Sequence, residues 1–98
     1  PDPMTEAFSL FQQMSDSGLI TDEEYDQLKN RAIAYIHDTA DTAGGVPMHV
    51  GKSFLHTARR LRKNLRKYRR LHEAGTIDRD EHRKLHNMAI HRFTRNWG

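Results

Sequence analysis

The sequence has no cysteine, which excludes disulfides and thiolate metal sites. No apolar run approaches the roughly 20 residues that a bilayer-spanning helix needs, and no signal-peptide pattern is present. A cytoplasmic location is therefore expected. Nowhere do apolar and polar residues alternate as in a half-buried strand, so the expected fold class is all-α. Apolar residues are also scarce: they make up 36% of the 98 residues, against 30% charged, which is lean for a chain near the lower size limit for a useful core. That shortage leaves room for an oligomer that completes the core. Pro1-Asp2-Pro3 reads as an appended remnant, with Met4 as the expected natural start.

Against these absences stands an internal repeat. Met14-Ser-Asp-Ser-Gly-Leu-Ile-Thr-Asp-Glu-Glu-Tyr25 returns 57 residues later as Leu71-His-Glu-Ala-Gly-Thr-Ile-Asp-Arg-Asp-Glu-His82. The same offset sets Phe11 on Tyr68, Leu28 on Leu85, Ala32 on Ala89 and Ile33 on Ile90. Each copy reads as helix, tight turn, helix. Gly18 and Gly75 suit a left-handed helix stop, because glycine has no Cβ to clash there. Ile20 and Ile77 return an apolar side chain to the interior. Thr21 with Glu24, and Asp78 with Glu81, have the spacing of reciprocal helix caps. Asp22, Glu23 and Asp80 add negative charge in the first turn, where the helix dipole favours it.

Four helices follow from the apolar spacing. The first covers 4–17, with Met4, Phe8, Phe11 and Met14 on one face. The second covers 22–38, through Tyr25, Leu28, Ala32 and Tyr35, with Ile33 and Ile36 widening the stripe. Gly44, Gly45 and Pro47 mark a linker over 39–51 between hairpin units 4–38 and 52–98. The third helix covers 52–74, and its line Phe54, Ala58, Leu61, Leu65, Tyr68 and Leu71 is a heptad seam of the kind that packs helix on helix. The fourth covers 79–95 through Leu85, Ala89 and Phe93, joined by Met88, Ile90 and Trp97. Two arrangements stay open: a four-helix bundle, or a homodimer in which Phe54, Ala58, Leu61, Leu65 and Tyr68 form the contact.

Gly18-Leu-Ile-Thr-Asp-Glu-Glu-Tyr-Asp-Gln-Leu-Lys29, preceded by spaced apolar residues, resembles the SHOCT (short C-terminal domain) family, a helical hairpin of about 30 residues. The first copy carries the signature at Gly18, Ile20, Thr21, Glu23, Glu24, Tyr25 and Lys29. The second keeps Gly75, Ile77 and Glu81 but has Asp78, Asp80, His82 and His86 at other signature positions. The two copies span little over half the chain. The resemblance implies a bacterial or phage origin and a role in oligomerisation, with nucleic-acid contact sometimes proposed, and it supplies no catalytic residue.

Charge is unevenly divided. Residues 1–50 carry nine acids and two bases, a net of −7, whereas residues 51–98 carry fourteen bases and four acids, a net of +10. Eight of those bases, Arg59, Arg60, Arg62, Lys63, Arg66, Lys67, Arg69 and Arg70, fall within twelve residues that hold no acid. Like charges at i,i+4 repel, so something acidic should compensate them. Nucleic-acid phosphates, an acidic protein, the acidic half of a dimer and, ranked last, a membrane surface stay open as partners. No helix-turn-helix or zinc-finger pattern supports base-specific reading.

Other candidates fall away. Val46-Pro-Met-His-Val-Gly-Lys-Ser53 lacks the first glycine of a phosphate-binding loop and follows no strand. Of the seven histidines, His82 and His86 share a helix face with Asp78, but Asp78 is the expected cap and His82 occupies an inward position, so neither metal nor cofactor is expected. Protonating His72 or His86 would instead make assembly acid-sensitive. No nucleophile lies in a recognisable catalytic motif, and no enzyme is expected. The sequence thus points to a small helical interaction module, an adaptor or regulator that docks an acidic partner through its basic helix. Alternatives are a sequence-tolerant DNA- or RNA-binding protein and a phage or mobile-element inhibitor of a bacterial protein.

Overall fold

Asp2 opens the first helix. In the computed structural model, which describes residues 2–41 and 44–96, its carboxylate accepts the Thr5 amide at 3.0 Å. Pro3 follows at the first helical position, where a missing N–H costs nothing. Asp2 and Pro3, expected to belong to a remnant, therefore take part in the fold. Four helices result among the described residues: α1 (Pro3–Asp16), α2 (Asp22–Thr39), α3 (Met48–Glu73) and α4 (Arg79–Asn96). Trp97, assigned above to the α4 apolar line, lies outside the described residues.

The two hairpin turns close with the same bonds. Gly18 and Gly75 have φ of 72° and 78°. The next amide, Leu19 or Thr76, donates to the carbonyl of Met14 or Leu71, in both cases at 2.9 Å. Both reciprocal caps are present. Thr21 Oγ1 accepts from the Glu24 amide at 3.1 Å while Glu24 accepts from the Thr21 amide at 2.9 Å. Asp78 and Glu81 exchange the matching pair at 2.8 Å each.

The third helix starts four residues before the expected position 52. Pro47 stands at its N-cap, and Gly51, taken above as part of the linker, lies buried in its first turns. A Cβ on Gly51 would sit 3.4 Å from Pro3 Cβ, so glycine lets the starts of α1 and α3 approach closely.

The hairpins lie side by side. α1 packs most extensively on α3, α3 on α4 and α1 on α2, while α2 and α4 touch more lightly. Glu6 meets Arg59, Gln13 meets Arg62 and Ser17 meets Arg69, so α1 and α3 run in the same direction. One aromatic from each helix meets at the centre. Phe11 and Phe93 pack edge-to-face at 5.8 Å across one diagonal, and Tyr35 stacks on Phe54 at 5.2 Å across the other. Such pairs contribute about 0.5–1.5 kcal/mol each beyond their area burial. Burial also pushes the Tyr35 hydroxyl pKa above its usual 10.0.

The fold is thus the four-helix alternative, and the anticipated oligomer seam closes within one chain. Phe54, Ala58, Leu61 and Leu65 are all buried in the bundle core, and Tyr68 is half-buried at its edge. An α3–α3 dimer through them requires the bundle to open. The α1 stripe also shifts: Ala7 and Leu10 are buried with Met4, Phe11 and Met14, while Phe8 is half-buried. Ile33 and Met88, expected to join the core, are 50% and 48% exposed.

Candidate functional site

The basic residues of α3 divide by what they face. Toward α1, the Arg59 guanidinium pairs with the Glu6 carboxylate at 2.9 Å, and Arg62 donates to Gln13 Oε1 at 3.2 Å. Arg69 donates at 3.2 Å to the Ser17 carbonyl, at the negative end of the α1 dipole. Arg66 lies between Arg62 and Arg69 on the rim of a recess of about 170 Å³. Toward α4, Arg60 lines a groove between the two helices. Lys63, Lys67 and Arg70 are exposed, and none of them forms an ion pair among the described residues.

The acidic first half does not cover this surface. Its acids concentrate on α2, at Asp22, Glu23, Glu24, Asp26 and Asp38, and α2 lies diagonally across from α3. Among the described residues, only Arg59–Glu6 and His86–Glu24 pair between the hairpins. The helix keeps nine bases against one acid, Glu73. The bundle therefore holds a cationic ridge on one corner and an acidic helix on the opposite one.

Three histidines cluster near the turns. The His72 and His82 rings stack at 4.8 Å, and His86 meets His82 edge-on at 6.3 Å. Burial lowers the His82 pKa from its usual 6.5, reinforced by His72, His86 and Arg69 and opposed by Glu73. His86 Nε2 lies 2.8 Å from Glu24 Oε2. Asp78 Oδ1 accepts from the Glu81 amide, and no three His, Asp or Glu side chains among the described residues are placed to share a metal ion.

Two concavities lie between neighbouring helices of the two hairpins or within the second. Between α2 and α4 a polar cleft of about 700 Å³ is lined by Glu23, Gln27, Asn30, Asn87, His91 and Thr94. Between α3 and α4 a narrower groove of about 190 Å³ has Leu61, Tyr68, Leu85, Met88 and Phe93 along it. Among the described residues, no helix is long and apolar enough to cross a membrane.

The sequence reading missed this groove, the Glu24–His86 contact and the role of Leu19. Leu19 is buried and lines the Arg62–Arg69 recess. A signal for it existed: the residue after a left-handed helix stop commonly packs on the last turn, and here that residue is leucine. Its counterpart Thr76 is exposed.

Residues 12–33 match the family model of the short C-terminal domain, SHOCT. The match takes in the end of α1, the first turn and the first two-thirds of α2. It does not extend to the second hairpin, whose turn shares the bonding but lies outside it. No curated protein and no solved structure matches the chain.

Proposed function

We propose that this chain is a non-enzymatic interaction module that docks an acidic macromolecule, preferentially a protein, on the exposed cations of α3. The single observation that carries the reading is the lack of compensation: Lys63, Arg66, Lys67 and Arg70 project from one helix and form no ion pair among the described residues, while the acidic helix α2 lies diagonally across. Like charges held at i,i+3 and i,i+4 destabilise a helix by about 0.2–0.5 kcal/mol per pair, and an acidic partner removes that cost on binding. The SHOCT match at 12–33 is compatible with such a module.

DNA or RNA phosphates form the second reading, favoured by one observation. The cations run along α3 from Arg59 to Arg70 without an intervening acid, a pattern that suits a repeating phosphate backbone. Fluorescence anisotropy separates the two, with labelled polyglutamate and a labelled duplex each titrated at several salt concentrations. The protein reading expects polyglutamate to bind at low salt and Arg66→Glu to weaken it. Duplex binding with a steep log–log salt slope and weak polyglutamate binding would favour nucleic acid. Absence of binding to either probe at low salt would remove both readings.

A further inference from the structure

The α3/α4 groove has an apolar strip with polar and cationic residues beside it. Leu61 and Phe93 are buried beneath it, Tyr68 and Leu85 are half-buried, and Met88 is 48% exposed. Arg60 on α3 and Arg92 on α4 flank this strip, both exposed, and no carboxylate among the described residues lines it. Asn64 and Asn96 supply amides at its margin. The lining on α3 runs from Thr57 to Tyr68, about 17 Å at a helical rise of about 1.5 Å per residue.

We infer that this groove is the docking site for an acidic amphipathic helix of a partner protein, about three turns long. The inference rests on the interaction-module reading and adds to it a second contact surface, beside the ridge of Lys63, Arg66, Lys67 and Arg70 that polyglutamate probes. Charge complementarity decides the occupant. An apolar strip between two arginines fits a stripe of leucine-like side chains at i, i+3, i+4 and i+7 with carboxylates on both flanks. Nucleic-acid phosphates would pair with Arg60 and Arg92 but gain nothing from covering Met88 and Leu85. An α-helix fits where a strand does not, because a helix seated between α3 and α4 satisfies its own backbone groups. Met88 supplies an adaptable contact, since its unbranched thioether side chain reshapes to its neighbour at little cost.

The test uses the full chain and two fluorescein-labelled 18-residue peptides of identical composition, read by anisotropy. In one, leucines form a single stripe flanked by glutamates; in the other, the same residues are rearranged so that no stripe forms. The striped peptide binds at least tenfold more tightly than the rearranged one. Met88→Lys weakens it tenfold or more, as does Arg60→Glu combined with Arg92→Glu, whereas Arg66→Glu outside the groove changes it less than threefold. Circular dichroism establishes that each variant keeps its helical signal, and the exposure of Met88 makes loss of folding an unsuitable explanation for its effect.

Equal affinity for the two peptides, with both weakened by Arg66→Glu, overturns the groove and leaves the basic-ridge reading standing. Failure of both peptides to bind overturns both. Concentration-dependent self-association in sedimentation, lost in Met88→Lys, assigns the groove to a second copy and also overturns the inference.

Discussion

Glu24 and His86 join the two hairpins through a residue already engaged in a helix cap. One Glu24 oxygen accepts the Thr21 amide at 2.9 Å, and the other lies 2.8 Å from His86 Nε2. Both side chains are only 17% exposed. Glu81, its counterpart in the second hairpin, is exposed and makes the cap bond alone among the described contacts.

The repeat therefore supplies its own control. Losing a helix cap costs about 0.5–2 kcal/mol. Glu81→Ala removes only the reciprocal bond and leaves Asp78 in place, so it should cost no more than the low end of that range, and Glu24→Ala should cost more, because it also strands His86. Urea denaturation of the two variants and of the Glu24→Ala/His86→Ala pair measures the difference. Equal costs, with no coupling between Glu24 and His86, would show that the contact contributes nothing to stability.

Acid should weaken the fold through His82. Its pKa is lowered in the folded chain, so the unfolded chain takes up this proton more readily. The stability associated with neutral His82 is complete above the usual value of 6.5 and declines as pH falls below it, toward the lowered folded pKa. His82→Tyr places there the residue found at the equivalent position, Tyr25, and should flatten the fall of the urea midpoint as pH drops below 6.5. An unchanged pH slope in the variant would locate the sensitivity elsewhere.

Gly51 should resist enlargement. The gap to Pro3 accepts at most a methyl group, so Gly51→Leu should force the start of α1 away from α3. Overpacking of this kind costs about 1–3 kcal/mol. Thermal unfolding reads it directly, and a melting temperature equal to wild type would mean that the helix starts are not tightly docked.

What was legible in the sequence was what short-range bonds decide. Gly18, Thr21 and Glu24, with their counterparts Gly75, Asp78 and Glu81, specify turns whose bonds close within a few residues, and both turns form as the repeat implies. The start of α3 was not legible, because Pro47 and Gly51 are local breakers and only the approach of Pro3 makes glycine the residue that fits inside that helix. Nor does an apolar stripe reveal whose surface covers it: Phe54, Leu61 and Leu65 read equally well as a dimer seam and as a core. Charge separation was visible as well. Whether the halves neutralise each other depended on which helices are neighbours, and the diagonal placement of α2 and α3 leaves the α3 ridge away from the acids of α2.

The central claim is that the basic ridge is surplus to the fold, and the melting temperature of Arg66→Glu at low salt tests it most directly. Arg66 has Arg62 and Arg70 at i±4 and Lys63 and Arg69 at i±3, and no carboxylate partner among the described residues. Reversal replaces repulsion by attraction at these positions, about 0.2–0.5 kcal/mol for each pair. The account predicts an unchanged helical signal and a rise in melting temperature of about 3 °C or more, at roughly 4–8 °C per kcal/mol for a domain of this size. A fall of several degrees would contradict it, showing that Arg66 is held by an acid within the protein and is not available to a partner.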